Sequence, residues 1–364
     1  MSVLAAIAVL ALLIVVHELG HFMAARLQKI HVNRFSIGFG PILWKYQGPE
    51  TEYAIRAIPL GGFVGFPDDD PEESNIPEND PNLLRNRPIL DRAIVISAGV
   101  IANLIFAYLV LVAQFGTYGV PAGFNYQPGV LVPQVVSQDS AAARAGIKSG
   151  DIIIAVGGKE LGSSKEAIPV LKEAIQSHAD RPLELTLERN KAKLSVRVTP
   201  QPAPDGTGRI GVQLAPNGTA TYRRANSTFE VLSLAADRFQ AIVVGTVQGF
   251  YQLITHFKET VGQVAGPVKI VEEGAKVAQS DTGNLFLFAA IISVNLAIIN
   301  ILPLPALDGG QLAFLLIEGL RGKPLPTHIQ DGVMQTGLML LLGLGIFLII
   351  RDTTQLEAIQ KLFQ

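Results

Sequence analysis

The stretch VVHELGHFMAARL, residues 15–27, places two histidines and a glutamate inside one of the most apolar parts of the chain. His17 and His21 are four residues apart, so they share one face of a helix, and Glu18 lies beside them. Ionisable side chains are costly in a bilayer, and where they occur they mark function by default. A packed histidine that binds nothing is the simpler alternative, but three ionisable groups at one depth favour a functional site.

The composition indicates a membrane protein. The chain has 364 residues, of which 49% are hydrophobic and only 16% charged, and its mean hydropathy is +0.35. It contains no cysteine, which excludes disulfides, thiolate metal ligands and a cysteine nucleophile. The net charge of -2 argues against nucleic-acid binding.

Four apolar segments approach the ~20 residues that a helix needs to cross a bilayer. They predict transmembrane helices over 1–26, 92–117, 284–307 and 332–351. The first segment has no basic region ahead of it and no small-residue cleavage site, so we interpret it as a retained helix rather than a signal peptide. The expected fold class is a polytopic α-helical membrane protein with an inserted α+β domain and a membrane-associated β-hairpin.

Residues 229–257 are ambiguous, because they show helical apolar spacing together with Glu230, Asp237 and Arg238. They fit either a fifth span or an amphipathic helix along the membrane. Lysine and arginine are concentrated between the first two spans, which places that connection in the cytoplasm and the N-terminus outside. With four spans, the first and third helices both end on the cytoplasmic side. A site shared by these two ends therefore favours the amphipathic helix, within a linker over 205–283.

Residues 121–204 predict a compact α+β domain outside the cytoplasm. The segments GVLVPQVV (129–136) and LELTLERNKAKLSVRVTP (183–200) have strand patterns, and AIPVLKEAIQ (167–176) has the pattern of an amphipathic helix. The sequence SAAARAGIKSGDIIIAVGGKEL (140–161) resembles the PDZ domains of bacterial proteases. The flanking parts, 1–120 and 284–364, are then two halves of one membrane-embedded core.

The H-E-x-x-H spacing of His17, Glu18 and His21 is typical of zinc hydrolases. Two imidazoles need a third protein ligand, which leaves one position for a water molecule, and the glutamate serves as general base. The segment NILPLPALDGG, residues 300–310, ends the third span with two prolines, whose freed backbone groups need a polar pocket. Asp308 is therefore the candidate third ligand. A solvated aspartate in the following loop is the alternative.

Several motifs together resemble the site-2 protease family, especially the bacterial group typified by the regulator of sigma-E protease. They are HELGH, Gly99-x-x-x-Asn103, the PDZ-like insert and SVNLAIINILPLPALDGG (293–310), and the likeness covers nearly the whole chain. It implies an intramembrane metalloprotease with Zn2+ held by His17, His21 and Asp308, and with Glu18 as catalytic residue. Asn103 and Asn300 would assist substrate or transition-state binding, with Gly99, Pro303 and Pro305 in the same group of candidates. Hydrogen bonding between spans is an equal alternative for Asn103.

The implied partners are the lipid bilayer, transmembrane protein substrates and a substrate segment bound at the PDZ-like domain. The substrates would be anti-sigma factors or signal-peptide remnants that another protease has already shortened. The implied location is a bacterial-type inner membrane, with the active site toward the cytoplasm. Our prediction for residues 50–66 is a hairpin with its turn at Gly61–Gly62, part of a β-loop over 36–66 that resembles the family's membrane-re-entrant loop. We expect a substrate strand to pair with four of its residues: Tyr53, Ala54, Ile55 and Arg56.

Two other functions stay open at this point. A catalytically inactive membrane scaffold would use only the PDZ-like domain, but it has no need of a base beside a metal. A zinc-binding transporter is disfavoured by four spans without a repeated half.

Overall fold

The computed structural model describes residues 2–69, 76–137, 139–203, 206–260, 262, 264–280 and 282–355. The chain forms two compact units, Met1–Gly119 with Ala225–Gln364, and Val120–Arg224. The helices are α1 (Ser2–Leu27), α2 (Ile89–Thr117), α3 (Ala141–Arg144), α4 (Ala167–Gln176), α5 (Thr228–Thr255), α6 (Phe257–Thr260), α7 (Pro267–Ser280), α8 (Thr282–Ile301), α9 (Asp308–Arg321) and α10 (Thr327–Gln355). The strands are β1 (Arg34–Gln47), β2 (Glu52–Gly65), β3 (Val120–Leu131), β4 (Ile152–Val156), β5 (Lys159–Glu160), β6 (Leu183–Arg189), β7 (Ala192–Val198), β8 (Gln201–Pro202), β9 (Gly208–Arg209) and β10 (Ala215–Arg223).

Four of the described helices, α1, α2, α8 and α10, are long and apolar enough to cross a membrane. This confirms the four predicted spans. The third span ends at Ile301 and not at residue 307, because Pro303 and Pro305 cannot continue the hydrogen-bonding pattern of a helix.

Small residues let α1 and α2 approach closely. A Cβ atom at Gly20 would lie 2.4 Å from the carbonyl oxygen of Ala98, so only glycine fits at this point of α1. Such contacts are typical of membrane helices, where association depends on close packing rather than on the exclusion of water. On its other side α2 packs along α8, and the Ser293 hydroxyl donates to the Asn103 carbonyl oxygen at 2.8 Å.

Helix α5 covers the ambiguous segment and is not among the four candidate spans. The Tyr108 hydroxyl of α2 donates to the carbonyl oxygen of Leu232 at 3.2 Å. Farther along α5, the Thr246 hydroxyl donates to the Asn295 side chain of α8 at 2.9 Å. One helix therefore joins α2 and α8, and its amphipathic placement at the membrane stays a prediction.

Strands β1 and β2 form a sheet in which each strand bends back on itself. Residues 34–37 pair with 52–55 in parallel and with 62–65 in antiparallel register, while 42–47 pair with 52–56 in antiparallel register. Gly38, Gly40 and Gly61 have φ of 87°, 82° and 93°, the left-handed region that glycine adopts without strain and that the bends require. The turn of the hairpin lies at Gly48–Thr51, where the Gly48 N–H donates to the Thr51 carbonyl oxygen at 3.0 Å. The predicted turn at Gly61–Gly62 is therefore wrong, because these two residues lie within β2.

The second unit is the expected α+β domain. Its main sheet has the order β10-β3-β4-β6-β7, with β5 paired to β4, and α4 covers an apolar core that includes Ile153, Leu171 and Leu185. The predicted boundary at 204 needs correction, since β10 pairs with β3 from Ala215↔Leu131 to Arg223↔Val120 and so extends the unit to residue 224. Sequence pattern missed β10 because its APNGTATYR stretch carries little apolar alternation.

Candidate metal centre

Three side chains converge at one end of the membrane-embedded unit. The Nε2 atoms of His17 and His21 are 3.3 Å apart, and Asp308 Oδ2 lies 3.3 Å from the first and 3.5 Å from the second. The histidines lie one turn apart on α1, and Asp308 is the first residue of α9. All three side chains are at most 15% exposed. The structure thus brings together the three residues that the sequence singles out as zinc ligands.

The segment between α8 and α9 places Asp308 at this point. After Ile301 the chain turns through the two prolines, and Ala306 adopts a φ of 67°. A Cβ atom at Gly309 would lie 2.1 Å from the Leu302 carbonyl oxygen, so glycine is needed for α9 to start against the end of α8. The carboxylate then lies at a helix N-terminus, which favours negative charge.

The polar atoms of the cluster fit a cation. The Nδ1 atom of His21 donates to the Val95 carbonyl oxygen at 2.9 Å, which leaves its Nε2 as an acceptor. Among the described residues, Asp308 Oδ2 is a buried oxygen with no hydrogen-bond partner. The acceptor atoms His21 Nε2 and Asp308 Oδ2 lie 3.5 Å apart, a contact that is unfavourable by itself, and nitrogen and oxygen ligands of this kind suit Zn2+.

Glu18 lies next to this cluster and is not one of its three members. Its position is bounded by the sheet, since a Cβ atom at Gly62 would lie 2.9 Å from Glu18 Cγ and 2.8 Å from the Ser36 carbonyl oxygen. A side chain at position 62 would therefore displace the carboxylate. This role of Gly62 cannot be inferred from the sequence, because nothing local to β2 indicates that the strand passes α1.

Two asparagines contact His17. The Asn300 amide nitrogen is 3.2 Å from His17 Nε2, on the side of the cluster. The Asn103 amide lies 3.4 Å from His17 Nδ1, on the opposite side of the ring, and is completely buried. Asn300 is thus placed where it can reach a ligand of the cluster, whereas Asn103 contacts only the back of a histidine.

Gly99, Pro303 and Pro305 act through packing. A Cβ atom at Gly99 would lie 2.3 Å from His21 Nε2 and 2.7 Å from His17 Cε1, so α2 must present a glycine to the histidines. Pro303 follows the last turn of α8, and Pro305 is in close contact with Gly337 of α10, where an added Cβ would lie 2.2 Å away. These contacts shape the site, and the role of the three residues in substrate or transition-state support stays a prediction.

The predicted substrate-pairing residues in β2 are not at a free edge. Tyr53, Ala54 and Ile55 each have partners on both sides, in 44–46 and in 35–37. The Arg56 guanidinium donates to the Ser36 hydroxyl at 2.8 Å and to the Gly40 carbonyl oxygen at 2.9 Å. This prediction is wrong because the sheet folds back on itself and encloses the segment. Within the described sheet, 42–47 and 62–65 have strand partners on one side.

The chain is similar in sequence to named metalloproteases. The chain is 66% identical over 369 residues to "Putative zinc metalloprotease all3971" of Nostoc sp., with 100% of both chains covered. It is 48% identical over 363 residues to "Membrane metalloprotease ARASP, chloroplastic" of Arabidopsis thaliana, covering 99% of this chain and 80% of that protein. A solved PDZ domain of the SdrC-like protein from Listeria monocytogenes matches 26% of this chain and 94% of its own, with 20% identity and a TM-score of 0.21.

The family description that matches is Peptidase family M50, and the match extends over residues 5–344. That range includes the histidines of α1, the sheet, the inserted unit and the start of α9. It also runs through all but the last turns of α10. The chain is a zinc metalloprotease with four membrane-spanning helices, and it belongs to Peptidase family M50, the site-2 protease family.

Proposed function

We propose that this protein hydrolyses peptide bonds within transmembrane segments of other membrane proteins, with His17, His21 and Asp308 as zinc ligands and Glu18 as general base. The observation that carries the proposal is the meeting of three potential ligand atoms, on side chains at most 15% exposed, beside a fourth ionisable group. It occurs at one end of α1, where α2 and α8 also contribute contacts. A soluble substrate would not require a site among apolar helices.

Each residue has a role that follows from its position. Zinc, when bound, supplies Lewis-acid activation of a water molecule. Glu18 would accept a proton from the attacking water and pass it to the leaving amine, a contribution of about 10²–10⁴ in rate for a well-placed acid–base group. Asn300 offers an amide N–H beside the ligands, where it can hold the carbonyl oxygen of the scissile peptide.

A transmembrane helix must be unwound locally before its peptide bond can be attacked. In a low-dielectric site, each polar backbone group left unpaired costs several kcal/mol. We place the compensating strand at residues 62–65, since their partners in β1 occupy one side only and Gly62 lies next to Glu18. Substrates with helix-breaking residues near the cut are then preferred.

The proposed location is a bacterial-type inner membrane, with the active site toward the cytoplasm and the N-terminus and inserted unit outside. The concentration of lysine and arginine between α1 and α2 supports this orientation. The Arabidopsis thaliana relative is named as a chloroplastic membrane metalloprotease. We propose membrane-anchored proteins shortened by a previous cut as substrates, of which anti-sigma factors and signal-peptide remnants are examples.

The inserted unit is proposed to be a PDZ-like module that docks or screens substrates. Such a groove binds an extended peptide by adding it to a strand edge, so main-chain bonds supply affinity and pockets supply selectivity. Excision of Val120–Arg224 with a short linker is expected to change which substrates are cut while zinc stays bound. Loss of zinc on excision would instead assign the unit a structural role.

The test of the catalytic proposal compares zinc content with cleavage of a membrane substrate in detergent or liposomes. Glu18→Gln is expected to retain stoichiometric zinc and to lose cleavage. His17→Ala, His21→Ala and Asp308→Ala are expected to lose both. Stoichiometric zinc in Asp308→Ala would exclude the third-ligand assignment. Full cleavage by Glu18→Gln would exclude Glu18 as the general base.

The two alternative functions give different outcomes in the same assay. An inactive scaffold would bind zinc without chelator-sensitive cleavage in the wild type. A transporter would move Zn2+ into sealed liposomes. Neither the wild type nor Glu18→Gln would then cleave the membrane substrate. The protease function is supported if the wild type cleaves the substrate in a chelator-sensitive manner and Glu18→Gln does not.

A further inference from the structure

The Asn103 side chain touches the back of His17, on the side of the ring away from the cluster. The residue is completely buried in the middle of α2, and its amide lies 3.4 Å from His17 Nδ1. It is therefore out of reach of a substrate at Nε2, on the far side of the imidazole ring. A buried amide at this place acts on the metal centre only through the histidine.

Zinc binding at Nε2 of His17 would fix the hydrogen-bonding roles at this contact. A neutral imidazole that ligates through Nε2 carries its proton on Nδ1, so Nδ1 must donate. The group opposite Nδ1 must then be an acceptor. Oxygen and nitrogen of a carboxamide exchange places by a half-turn, and their assignment follows from the hydrogen-bond network.

Asn103 satisfies this condition in one of its two orientations. With the amide nitrogen toward His17, its Oδ1 is a buried oxygen without a partner among the described residues. That orientation also forces a proton onto His17 Nε2, which removes a ligand. With Oδ1 toward His17, the imidazole donates to it, and Nε2 is free to bind a metal.

We infer that Asn103 is a positioning residue that accepts the Nδ1–H of His17 through its side-chain oxygen and so holds this histidine in the tautomer and ring orientation that bind zinc. The inference rests on the proposed ligand set. The Asn103 oxygen then accepts the Nδ1–H of His17, as the Val95 carbonyl oxygen accepts the Nδ1–H of His21 at 2.9 Å. Outer partners of this kind fix the orientation of ligating histidines, and their removal costs about 10–100-fold in metal affinity.

The backbone of the same residue connects the centre to α8. The Asn103 carbonyl oxygen accepts from the Ser293 hydroxyl at 2.8 Å, and Ser293 is also completely buried. Helix α8 leads within two turns to Asn300 and then to the segment before Asp308. Asn103 thus contacts the first ligand by its side chain and the helix leading to the third by its backbone. A side-chain substitution changes only the first contact.

The test measures the dissociation constant for Zn2+ in the full-length, detergent-solubilised protein by competition with a chromogenic chelator. Asn103→Leu keeps the volume and removes the acceptor, and it is expected to weaken zinc binding by about 10–100-fold. Asn103→Asp keeps an acceptor oxygen in the same place and is expected to bind zinc at least as tightly as the wild type. Rescue by aspartate but not by leucine is a result that a purely structural role would not give.

Asn295→Leu is the matched control. Asn295 is a second asparagine in a membrane helix and bonds Thr246 of α5, away from the histidines, so its removal is expected to leave zinc affinity unchanged. Wild-type affinity in Asn103→Leu, or equally weak binding in Asn103→Asp and Asn103→Leu with unfolding temperatures like the wild type's, would overturn the inference. Absence of zinc binding in the wild type would instead overturn the ligand set on which it rests.

Discussion

At the scale of single residues, the metal centre depends as much on missing side chains as on those that bind. The histidines of α1 face α2 at Gly99, and Glu18 faces β2 at Gly62, and at both places an added Cβ would overlap the reactive side chain. Gly20, between the histidines, brings α1 against Ala98. Close contact between backbone and ligand ring leaves the imidazoles few alternative orientations, which favours a preformed site.

The contact at Gly99 yields a first prediction. Gly99→Ala places a methyl group 2.3 Å from His21 Nε2 and 2.7 Å from His17 Cε1, so both rings must move. We expect loss of zinc and of cleavage, with the helices still formed as judged by circular dichroism. Gly116→Ala on the same helix is the control, because no atom lies within 4 Å of the added Cβ. Normal zinc content in Gly99→Ala would contradict this prediction, because it would mean that both imidazole rings can move away from the methyl group and still bind zinc.

At the scale of elements, an ion pair holds α9 against α2. The Arg92 guanidinium of α2 makes two bonds to the Glu318 carboxylate of α9, one of them at 3.0 Å, and the two side chains are 16% and 14% exposed. Helix α9 begins with Asp308, so this pair fixes the far end of the element that carries the third ligand. Removing one partner leaves the other charge unpaired, and because this pair is partly buried the cost lies below the ~3–5 kcal/mol of a fully buried pair.

We expect Glu318→Gln to lower the unfolding temperature of the solubilised protein and to weaken zinc binding, although the residue touches no ligand. Asp91→Asn is the matched control. It removes the Arg87–Asp91 pair at 3.0 Å, which lies one turn apart at the start of α2 and joins no second helix. Its expected effect is under about 1 kcal/mol. Equal effects of the two substitutions would mean that the pair with Arg92 does not position α9.

The sheet of β1 and β2 gives a second prediction at this scale. Ala54 is buried and has partners on both sides, so Ala54→Pro removes a hydrogen bond inside the sheet. It is expected to slow cleavage of helical and extended substrates equally, since it disrupts the wall beside Glu18. Leu43→Pro, at an exposed position of the outer segment, is expected to be tolerated. If Ala54→Pro slowed the cleavage of helical substrates only, the result would support pairing of the substrate strand with residues 53–56.

At the scale of the whole molecule, a unit with the core of a water-soluble domain is inserted in the sequence between the two segments of the membrane-embedded unit. The second unit has a central ion pair, in which Arg189 donates to Asp151 at 2.7 Å and 2.8 Å. Burial by itself would raise the pKa of Asp151, but hydrogen bonds from Arg189 and from the Lys148 N–H outweigh it, so the pKa of this carboxyl lies below its ordinary value.

The sign of this shift makes the unit sensitive to acid. A carboxyl whose folded pKa is lowered adds stability above its unfolded pKa of about 3.9, and that stability is lost as the pH falls through the folded value. We expect Asp151→Asn to destabilise the unit at pH 7, with the difference from wild type shrinking below about pH 4. Hydrogen exchange of the β4 and β6 amides in the full-length protein measures this. A difference that stays constant down to pH 2 would contradict the assignment.

The sequence by itself determined the four spans, the inserted α+β domain and the set of His17, Glu18, His21 and Asp308. Each of these follows from local information, namely apolar length, periodicity, helical spacing and helix-breaking prolines. The meeting of His17, His21 and Asp308 was also expected from the sequence, because four alternating spans would bring the end of α1 and the end of α8 to one side of the membrane.

Only the tertiary structure decided which edges of the sheet are free, where the inserted unit ends and what Gly99, Gly62 and Asn103 do. These depend on contacts between segments far apart in sequence, for which one strand or helix carries no local signal. The bends of β1 and β2 enclose Tyr53–Ile55, and the pairing of β10 with β3 extends the insert to Arg224. The physical reason is that a backbone group's partner, or the space beside an α-carbon, belongs to the packed neighbour and not to the residue's own segment.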